Sequence, residues 1–224
     1  MQPGPPHPIR PETGFIEVEG GRLFFVVEGA GRPVVFLHGV PGDHSVWNPQ
    51  AAFFAPRFRV GRYDLRGFGQ SRTEPPPVPG SYSRIQDLSS LLDRLDFRRA
   101  HLVGYSMGSG VALNFAFKYP DRVDRLVLVS SSPPPMPPFP DELDLRTPEG
   151  RAPLIALRVP TLLLVGERHA NAIGFADQIC ALTPEAKKVV VPGVGERIFQ
   201  DQPEIFNETV LKFLQTGKVK ESIT

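Results

Sequence analysis

The segment Gly104-Tyr105-Ser106-Met107-Gly108 decides the fold, because it lies between two segments of different periodicity. Residues 100–105 form a short apolar run that predicts a buried strand, and residues 107–119 predict a helix. A serine at this junction, with a glycine two positions away on each side, indicates a tight strand-to-helix turn that presents its hydroxyl above the sheet edge. A serine that only caps a helix would not require both glycines. The sequence therefore predicts Ser106 as a nucleophile.

Two other glycine-rich motifs are excluded at this position. A phosphate-binding loop needs Gly-Lys-Ser or Gly-Lys-Thr, and neither follows the segment. A dinucleotide-binding turn needs a different spacing from that of Gly104, Gly108 and Gly110.

The rest of the chain alternates between predicted strands and helices. The pattern predicts a hairpin over 14–29, strands at 33–38, 58–63, 125–129, 161–165 and 188–191, and helices near 45–55, 81–95, 151–157, 175–182 and 203–214. Such alternation predicts an α/β fold with a mostly parallel sheet and helices on both faces. Ligands of these sheets bind beyond the carboxyl ends of the strands, so functional residues are expected in the loops that follow the strands.

Composition limits the class of partner. A formal net charge of +1 on 224 residues gives nucleic acid or a membrane surface no electrostatic attraction. The single cysteine, Cys180, excludes an internal disulfide and fits a reducing, cytoplasmic environment. Residues 1–11 are rich in proline and lack the apolar run of a secretory signal, and no later segment is long enough to span a membrane. No obligatory protein partner is evident.

Five segments, taken together, resemble the α/β-hydrolase superfamily in its branch of small esterases and lactonases. They are His38-Gly-Val-Pro-Gly42, Tyr63-Asp-Leu-Arg-Gly-Phe-Gly-Gln-Ser71, the Ser106 segment, Tyr119-Pro-Asp-Arg-Val123, and Val159-Pro-Thr-Leu-Leu-Leu-Val-Gly-Glu167. The resemblance extends over roughly residues 15–214. It implies an α/β-hydrolase fold and a serine hydrolase that needs no cofactor.

The resemblance also assigns roles to residues. It implies that the backbone N–H groups of Val40 and Met107 form an oxyanion hole, the donor pair that stabilises the negative oxygen of the tetrahedral intermediate. Tyr105 beside the nucleophile and His44 beside the oxyanion loop are candidate substrate contacts. His38 is expected to shape its loop.

Further residues are expected to have structural roles. Asp64 and Arg66 are expected to form a structural pair that ties loops together. His101, at the start of its strand, is expected to lie far from the site.

This sequence departs from the family pattern at two positions. Where the family has an aspartate after the seventh strand the chain has His169, and where it has a histidine after the eighth strand the chain has Glu196. An imidazole and a carboxylate are both retained with their places exchanged, so we predict a rearranged triad of Ser106, His169 and Glu196. The alternative is a serine without an effective base, because a misplacement of about 1 Å can cost about 10²-fold in rate.

Other titratable residues are not expected to take part. Glu167 and Asp201 are interpreted as solvated surface charges, and the five histidines are too scattered along the sequence to predict a metal site.

The segment over 131–158 is predicted to be a reduced cap or loop. Its prolines between 133 and 140 exclude a helix interior there, so the helical cap typical of the family is missing. Met136 and Phe139 are candidate substrate contacts on this segment. A reduced cap predicts an open, shallow site. The short cap and the exchanged residues together are typical of a remodelled or engineered chain.

We therefore predict a single α/β-hydrolase domain over residues 13–216, with a disordered lead-in over 1–12 and a tail over 217–224. The predicted function is hydrolysis of small carboxylic esters through an acyl-enzyme on Ser106. A catalytically impaired scaffold that binds a small ligand is the alternative, and the sequence leaves a cofactor-free lyase or perhydrolase open because these share the same serine turn.

Overall fold

A computed structural model describes residues 11–73, 82–131 and 147–219. The strands of these residues are β1 Glu12–Val18, β2 Gly21–Gly29, β3 Arg32–Leu37, β4 Phe58–Tyr63, β5 Arg72–Thr73, β6 Ala100–Tyr105, β7 Val123–Val129, β8 Thr161–Gly166 and β9 Ala186–Val191. Their helices are α1 Asn48–Phe54, α2 Arg84–Arg94, α3 Met107–Lys118, α4 Pro148–Ala156, α5 Ala170–Leu182, α6 Ile198–Asp201 and α7 Pro203–Thr216, with 3-10 turns at His44–Trp47 and Pro120–Arg122.

One twisted sheet contains all of these strands, in the order β1-β2-β4-β3-β6-β7-β8-β9, with the short β5 paired to β2. The pairs from β4 and β3 through to β9 are parallel, and β2 pairs antiparallel with β1, β4 and β5. The predicted α/β-hydrolase fold class is thereby confirmed. Strand β6 lies in the middle of the sheet, between β3 and β7. Ser106, which follows β6, therefore lies among the loops that follow these neighbouring strands.

Both faces of the sheet are covered by helices. Along β3, Val35 and Leu37 belong to one buried cluster, and Val34 and Phe36 belong to the other. Helices α2, α3 and α5 pack in the first cluster, and α1 and α7 pack in the second. Successive strand residues point to opposite faces, so a continuously apolar run is the pattern expected of a strand buried on both sides.

The predicted elements differ from the structure mainly at their ends. The strands at 58–63 and 100–105 have the predicted bounds, and β7 begins at Val123, two residues before the prediction. The predicted helix at 45–55 is wrong as a single element, since a 3-10 turn precedes α1. Asp43 caps that turn by accepting from the Ser45 amide, and Pro49, which has no amide hydrogen, lies in the first turn of the new helix.

Within the described residues, no helix is both long enough and apolar enough to cross a membrane. Residues 1–10, most of the predicted cap segment, and the last five residues of the chain lie outside the described residues. The cap and both tails therefore stay predictions.

Candidate active site

The backbone turns sharply at Ser106. This residue has φ of 50° and ψ of −114°, a positive-φ conformation that is rare for a residue with a side chain, and α3 begins at the next residue. A Cβ at Gly104 would lie 2.4 Å from the Gly108 carbonyl oxygen, and a Cβ at Gly108 would lie 2.4 Å from the Leu37 carbonyl oxygen. Both glycines of the motif are therefore required by close backbone contacts, as the sequence predicted.

The hydroxyl of Ser106 is placed at the carboxyl edge of the sheet. Ser106 is half-buried, and its amide donates to the Val129 carbonyl of the neighbouring β7 at 3.0 Å. The Met107 amide belongs to the first turn of α3, where a helix leaves its amides without intrahelical partners and its dipole is positive.

The loop after β3 lies directly against the serine turn. A Cβ at Gly39 would lie 2.9 Å from the Ser106 Cβ and 2.8 Å from the Tyr105 ring, so only glycine allows this approach. Both ring nitrogens of His38 hold this loop. Nε2 accepts from the Leu65 amide at 2.9 Å, so Nδ1 carries the proton and donates to the Gly39 carbonyl at 2.9 Å. Burial lowers the pKa of His38, so the ring stays neutral. This agrees with the predicted loop-shaping role.

Asp64 ties the loop after β4 to the 3-10 turn. Its carboxylate accepts from the amides of His44 and Gln70 at 2.8 and 2.7 Å, and lies 2.6 Å from the His44 Nδ1. Burial alone would raise the pKa of Asp64, but the His44 ring and the two amides hold it below its ordinary value. The His44 ring also packs 5.0 Å from the Phe24 ring.

Arg66 has a different partner from the one predicted. Its guanidinium pairs with the buried Asp87 carboxylate through two hydrogen bonds and donates to the Glu19 carbonyl at 2.6 Å. Asp64 and Arg66 each connect loops, but the expected pair between them is wrong. The carboxylate of Asp64 already has its donors, and Arg66 reaches α2 instead.

Asp43, His44 and Asp64 offer metal-ligand atoms within 4.8 Å of one another. The Asp43 carboxylate accepts from the Ser45 amide, and the Asp64 oxygens accept from His44 and Gln70. Hydrogen bonds within the protein account for this cluster, which the sequence spacing had not indicated.

His169 lies at the start of α5, on the loop after β8. It is half-buried, and its Nδ1 is buried without a hydrogen-bond partner in the described part of the chain. Two hydrogen bonds join the loops after β8 and β9. The Gly193 amide donates to the Glu167 carboxylate at 2.8 Å, and the Arg168 amide donates to the Val194 carbonyl at 2.9 Å. Glu167 is therefore a loop tie, although its side chain is exposed as predicted.

The pKa of the Tyr105 hydroxyl is raised to about 12. Burial is the largest cause, the nearby Glu196 carboxylate raises the pKa further, and the neighbouring Arg197 opposes the shift. The Tyr105 ring is buried in the second core cluster, with ring centroids 4.9 Å from Phe199 and 6.5 Å from Trp47.

Ser130 is a site residue that the sequence did not reveal. It follows β7, has φ of 47°, and its hydroxyl donates to the Glu196 carbonyl at 2.7 Å. Among the described residues, no hydrogen bond joins the Ser106 hydroxyl, the His169 ring and the Glu196 carboxylate. The exchanged triad stays a prediction, as do substrate contacts by His44 and Tyr105. Met136 and Phe139 lie outside the described residues.

His101 lies where the sequence predicted. It is the second residue of β6, and the strand carries it about 16 Å from Ser106 at about 3.3 Å per residue. Its ring is fully buried beside Phe58, and burial lowers its pKa to about 4.

Comparison with known proteins agrees with this architecture. The sequence profile of the alpha/beta hydrolase fold family matches residues 32–152, more than half of the chain, so the chain belongs to this family. An uncharacterized protein of Mycobacterium tuberculosis is 32% identical over 200 residues, which are 87% of this chain and 55% of that protein. The chain thus spans about half the length of the curated relatives it matches.

Two solved esterases have similar structures. A thermophilic esterase from Thermogutta terrifontis is 25% identical, with a TM-score of 0.77 over 92% of this chain and 99% of that one. The naproxen esterase of Bacillus subtilis superposes with a TM-score of 0.79 over 92% of each chain, and its 20% identity supports the fold alone.

Proposed function

We propose that this protein is a serine hydrolase that cleaves small carboxylic esters through an acyl-enzyme on Ser106. The observation that carries the proposal is the strained turn at Ser106, which is held between the β3 loop and the first turn of α3. Strain of this kind costs about 1–3 kcal/mol and persists only where the surrounding structure enforces it.

The oxyanion hole is proposed at the amides of Val40 and Met107. Gly39 brings the β3 loop into contact with Ser106, and Met107 is the first residue of α3. Donors aimed at the developing oxyanion each contribute about 10²–10³ in rate.

His169 is proposed as the base, by elimination among the histidines of the described residues. The two ring nitrogens of His38 serve Gly39 and Leu65, His44 is paired with Asp64, and His101 lies at the far end of β6. His169 follows β8, a strand at the same edge as Ser106, and its Nδ1 has no protein partner in the described residues. Catalytic hydrogen bonds are often long before substrate binds, so the unliganded geometry is compatible with this role.

The proposed reaction has two stages. The Ser106 oxygen attacks the ester carbonyl carbon while His169 takes its proton, and the two amides hold the oxyanion. The tetrahedral intermediate then collapses, and the alcohol leaves with the proton from His169. Water repeats the sequence on the acyl-enzyme, with His169 again taking and returning a proton, and releases the carboxylic acid and free Ser106.

Hydrolysis of p-nitrophenyl acetate, followed from the pre-steady-state burst of p-nitrophenol into steady-state turnover, tests the proposal. Ser106→Ala is expected to abolish the burst and the turnover, and His169→Ala is expected to lower kcat by about 10²–10⁴ because the general base is lost. The exposed Glu185 provides a matched control, and Glu185→Ala should retain the activity of the unaltered protein. Unchanged turnover in His169→Ala would exclude His169 as the base.

A catalytically impaired scaffold that binds a small ligand is the second candidate. It is favoured by the buried His169 Nδ1, which has no hydrogen-bond partner, and so no carboxylate partner, among the described residues. A protein of this kind would give equal, background turnover with and without Ser106. A lyase or perhydrolase on the same serine turn would instead lose its activity in Ser106→Ala while hydrolysing esters poorly.

A further inference from the structure

We propose that the amino edge of the sheet is an interface between two copies of this chain, related by a two-fold axis. The interface consists of the outer face of α4 and the groove beside it, at the opposite edge of the sheet from Ser106. The inference goes beyond the proposed function and does not depend on it, because none of the interface residues belongs to the serine turn or its loops.

A groove of about 430 Å³ lies where β7 and β8 begin. It is lined by the end of α3, by the 3-10 turn Pro120–Arg122, and by α4 with the segment that leads into β8. Its apolar lining includes Ala116, Phe117, Val123, Leu157 and Val159. Strands β6, β7 and β8 are parallel, so their first residues share one edge of the sheet, and Ser106 lies at the other edge.

Helix α4 exposes an apolar face beside this groove. Its inner face is held in the fold, since Leu154 is buried and its carbonyl accepts from the Thr183 hydroxyl at 3.1 Å. Its outer face carries Ala152, Ile155 and Ala156, whose spacing places them together and which are all exposed. Ile155 is 56% exposed, more than the other large hydrophobic residues that the structure describes, and Ala156 also lines the groove. An exposed apolar face that adjoins an apolar groove is the arrangement expected of an association surface.

The groove also carries one unpaired charge of each sign. The Arg158 guanidinium donates to backbone carbonyls one and three residues before it, at 3.1 and 2.8 Å, and has no carboxylate partner in the described residues. Asp121 lines the groove from the 3-10 turn, and its carboxylate takes part in no ion pair or hydrogen bond within the described residues. The other two charges of the lining, Arg99 and Asp124, pair with each other at 3.1 Å.

These features make the surface complementary to itself. In a two-fold dimer each contact between two different residues occurs twice, once in each direction. Arg158 of each copy can then pair with Asp121 of the other, while each Ile155 enters the groove of the other copy. A small zwitterion could pair with the two charges, but it would leave Ile155 exposed. A second copy of the chain accounts for the groove, the isoleucine and both charges.

The size of this surface sets the expected affinity. Stable interfaces bury about 800 Å² per partner and use about 20–30 residues a side. The groove is lined by 13 residues, and the outer face of α4 adds Ala152 and Ile155. The interface therefore lies below the standard size, and we expect a reversible dimer with a Kd on the order of 10 µM.

Sedimentation equilibrium tests the dimer, at protein concentrations from about 10-fold below to about 10-fold above this Kd. We expect the mass to rise from monomer to dimer. Arg158→Asp and Asp121→Arg should each weaken association by about 10-fold or more, because each replaces two attractive pairs with two repulsive ones. Arg72→Asp is the matched control, since Arg72 is exposed, also donates to backbone carbonyls of its own segment, and lies on β5. It should dimerise like the unaltered protein.

A mixture of the two charge variants tests the pairing itself. An equimolar mixture of Arg158→Asp and Asp121→Arg chains places opposite charges at both pairs of a mixed dimer, so association should return to about the unaltered level. The double variant should recover in the same way, because its pairs are reversed but still attractive. Recovery would also show that the single variants are folded. No recovery in the mixture and in the double variant would overturn the inference.

Replacement of exposed apolar residues tests the location of the interface. Ile155→Glu is expected to keep the protein monomeric over the same concentrations, because a carboxylate would have to enter an apolar groove. Val190→Glu is the control, since Val190 is 37% exposed on the edge strand β9, and it should leave the dimer intact. An unaltered chain that stays monomeric, or a dimer that Val190→Glu dissociates and Ile155→Glu does not, would overturn the inference.

Discussion

At the scale of single residues, the site depends on backbone conformations that most side chains disfavour. Ser106 and Ser130 both have positive φ, and both donate their amides to the next strand along the sheet. The carbonyl of Val129 accepts from the Ser106 amide and also from the Ser109 hydroxyl at 3.2 Å. Hydrogen bonds to β7 therefore offset part of the strain at the Ser106 turn.

Alanine in place of Gly108 should disrupt the turn. The new Cβ would lie 2.4 Å from the Leu37 carbonyl oxygen, and backbone must move to relieve this contact. We expect loss of about 2–4 kcal/mol of stability and at least about 10²-fold of ester hydrolysis, measured by denaturant unfolding and p-nitrophenyl acetate turnover.

Gly110 is the matched control on the same helix, because a Cβ there meets nothing within 4 Å. Gly110→Ala should retain activity and gain about 0.5–1 kcal/mol from helix propensity. Equal effects of the two substitutions would contradict the steric account of the motif.

At the scale of elements, the site is a set of loops tied together beyond the strand ends. Asp64 connects the loop after β4 to the 3-10 turn, and Glu167 connects the loop after β8 to the loop after β9. These ties fix the loops that carry Val40, a proposed oxyanion donor, and His169, the proposed base. Buried carboxylates that accept several hydrogen bonds are costly to truncate, since the donors are left unpaired.

Asp64→Ala should therefore destabilise the protein by about 2–4 kcal/mol, because the amides of His44 and Gln70 and the His44 ring lose their buried acceptor. Asp43→Ala is the comparison, since Asp43 is only half-buried and caps one amide, and about 1 kcal/mol is expected. Urea unfolding of both variants measures the difference. Similar losses would show that Asp64 is an ordinary cap.

The sequence predicted elements better than contacts. The strand at 100–105 has its predicted bounds because a short run buried on both faces has a clear pattern, and the strand at 58–63, which carries two arginines, has its predicted bounds as well. The hydrogen bond from the Ser130 hydroxyl to the Glu196 carbonyl was not predicted, since it depends on the path of the loop after β9. Ser130 was missed for another reason: positive φ is usually indicated by glycine, and no glycine stands there.

At the scale of the whole molecule, acid stability should depend on His101. The folded protein lowers the pKa of His101 to about 4, mainly by burial. In the unfolded chain this ring becomes protonated below about pH 6.5, whereas in the folded protein it stays neutral until about pH 4. The unfolded state therefore binds more protons in this range, and the free energy of unfolding falls by about 3 kcal/mol as the pH is lowered from about 6.5 to about 4.

His101→Leu should remove this part of the pH dependence. Both ring nitrogens lack hydrogen-bond partners among the described residues, so leucine costs no hydrogen bond there and keeps the contact with Phe58 apolar. Free energies of unfolding at pH 7 and pH 4.5 provide the measurement. A variant with the same fall in stability as the unaltered protein would show that other groups dominate acid unfolding.

The central claim is that the strained turn exposes the Ser106 hydroxyl as a nucleophile. Incubation with a fluorophosphonate, followed by mass spectrometry of the digested protein, tests it directly. The account predicts one adduct, on Ser106, absent from Ser106→Ala and formed more slowly in His169→Ala. An adduct on another residue, or none on the folded protein, would contradict it.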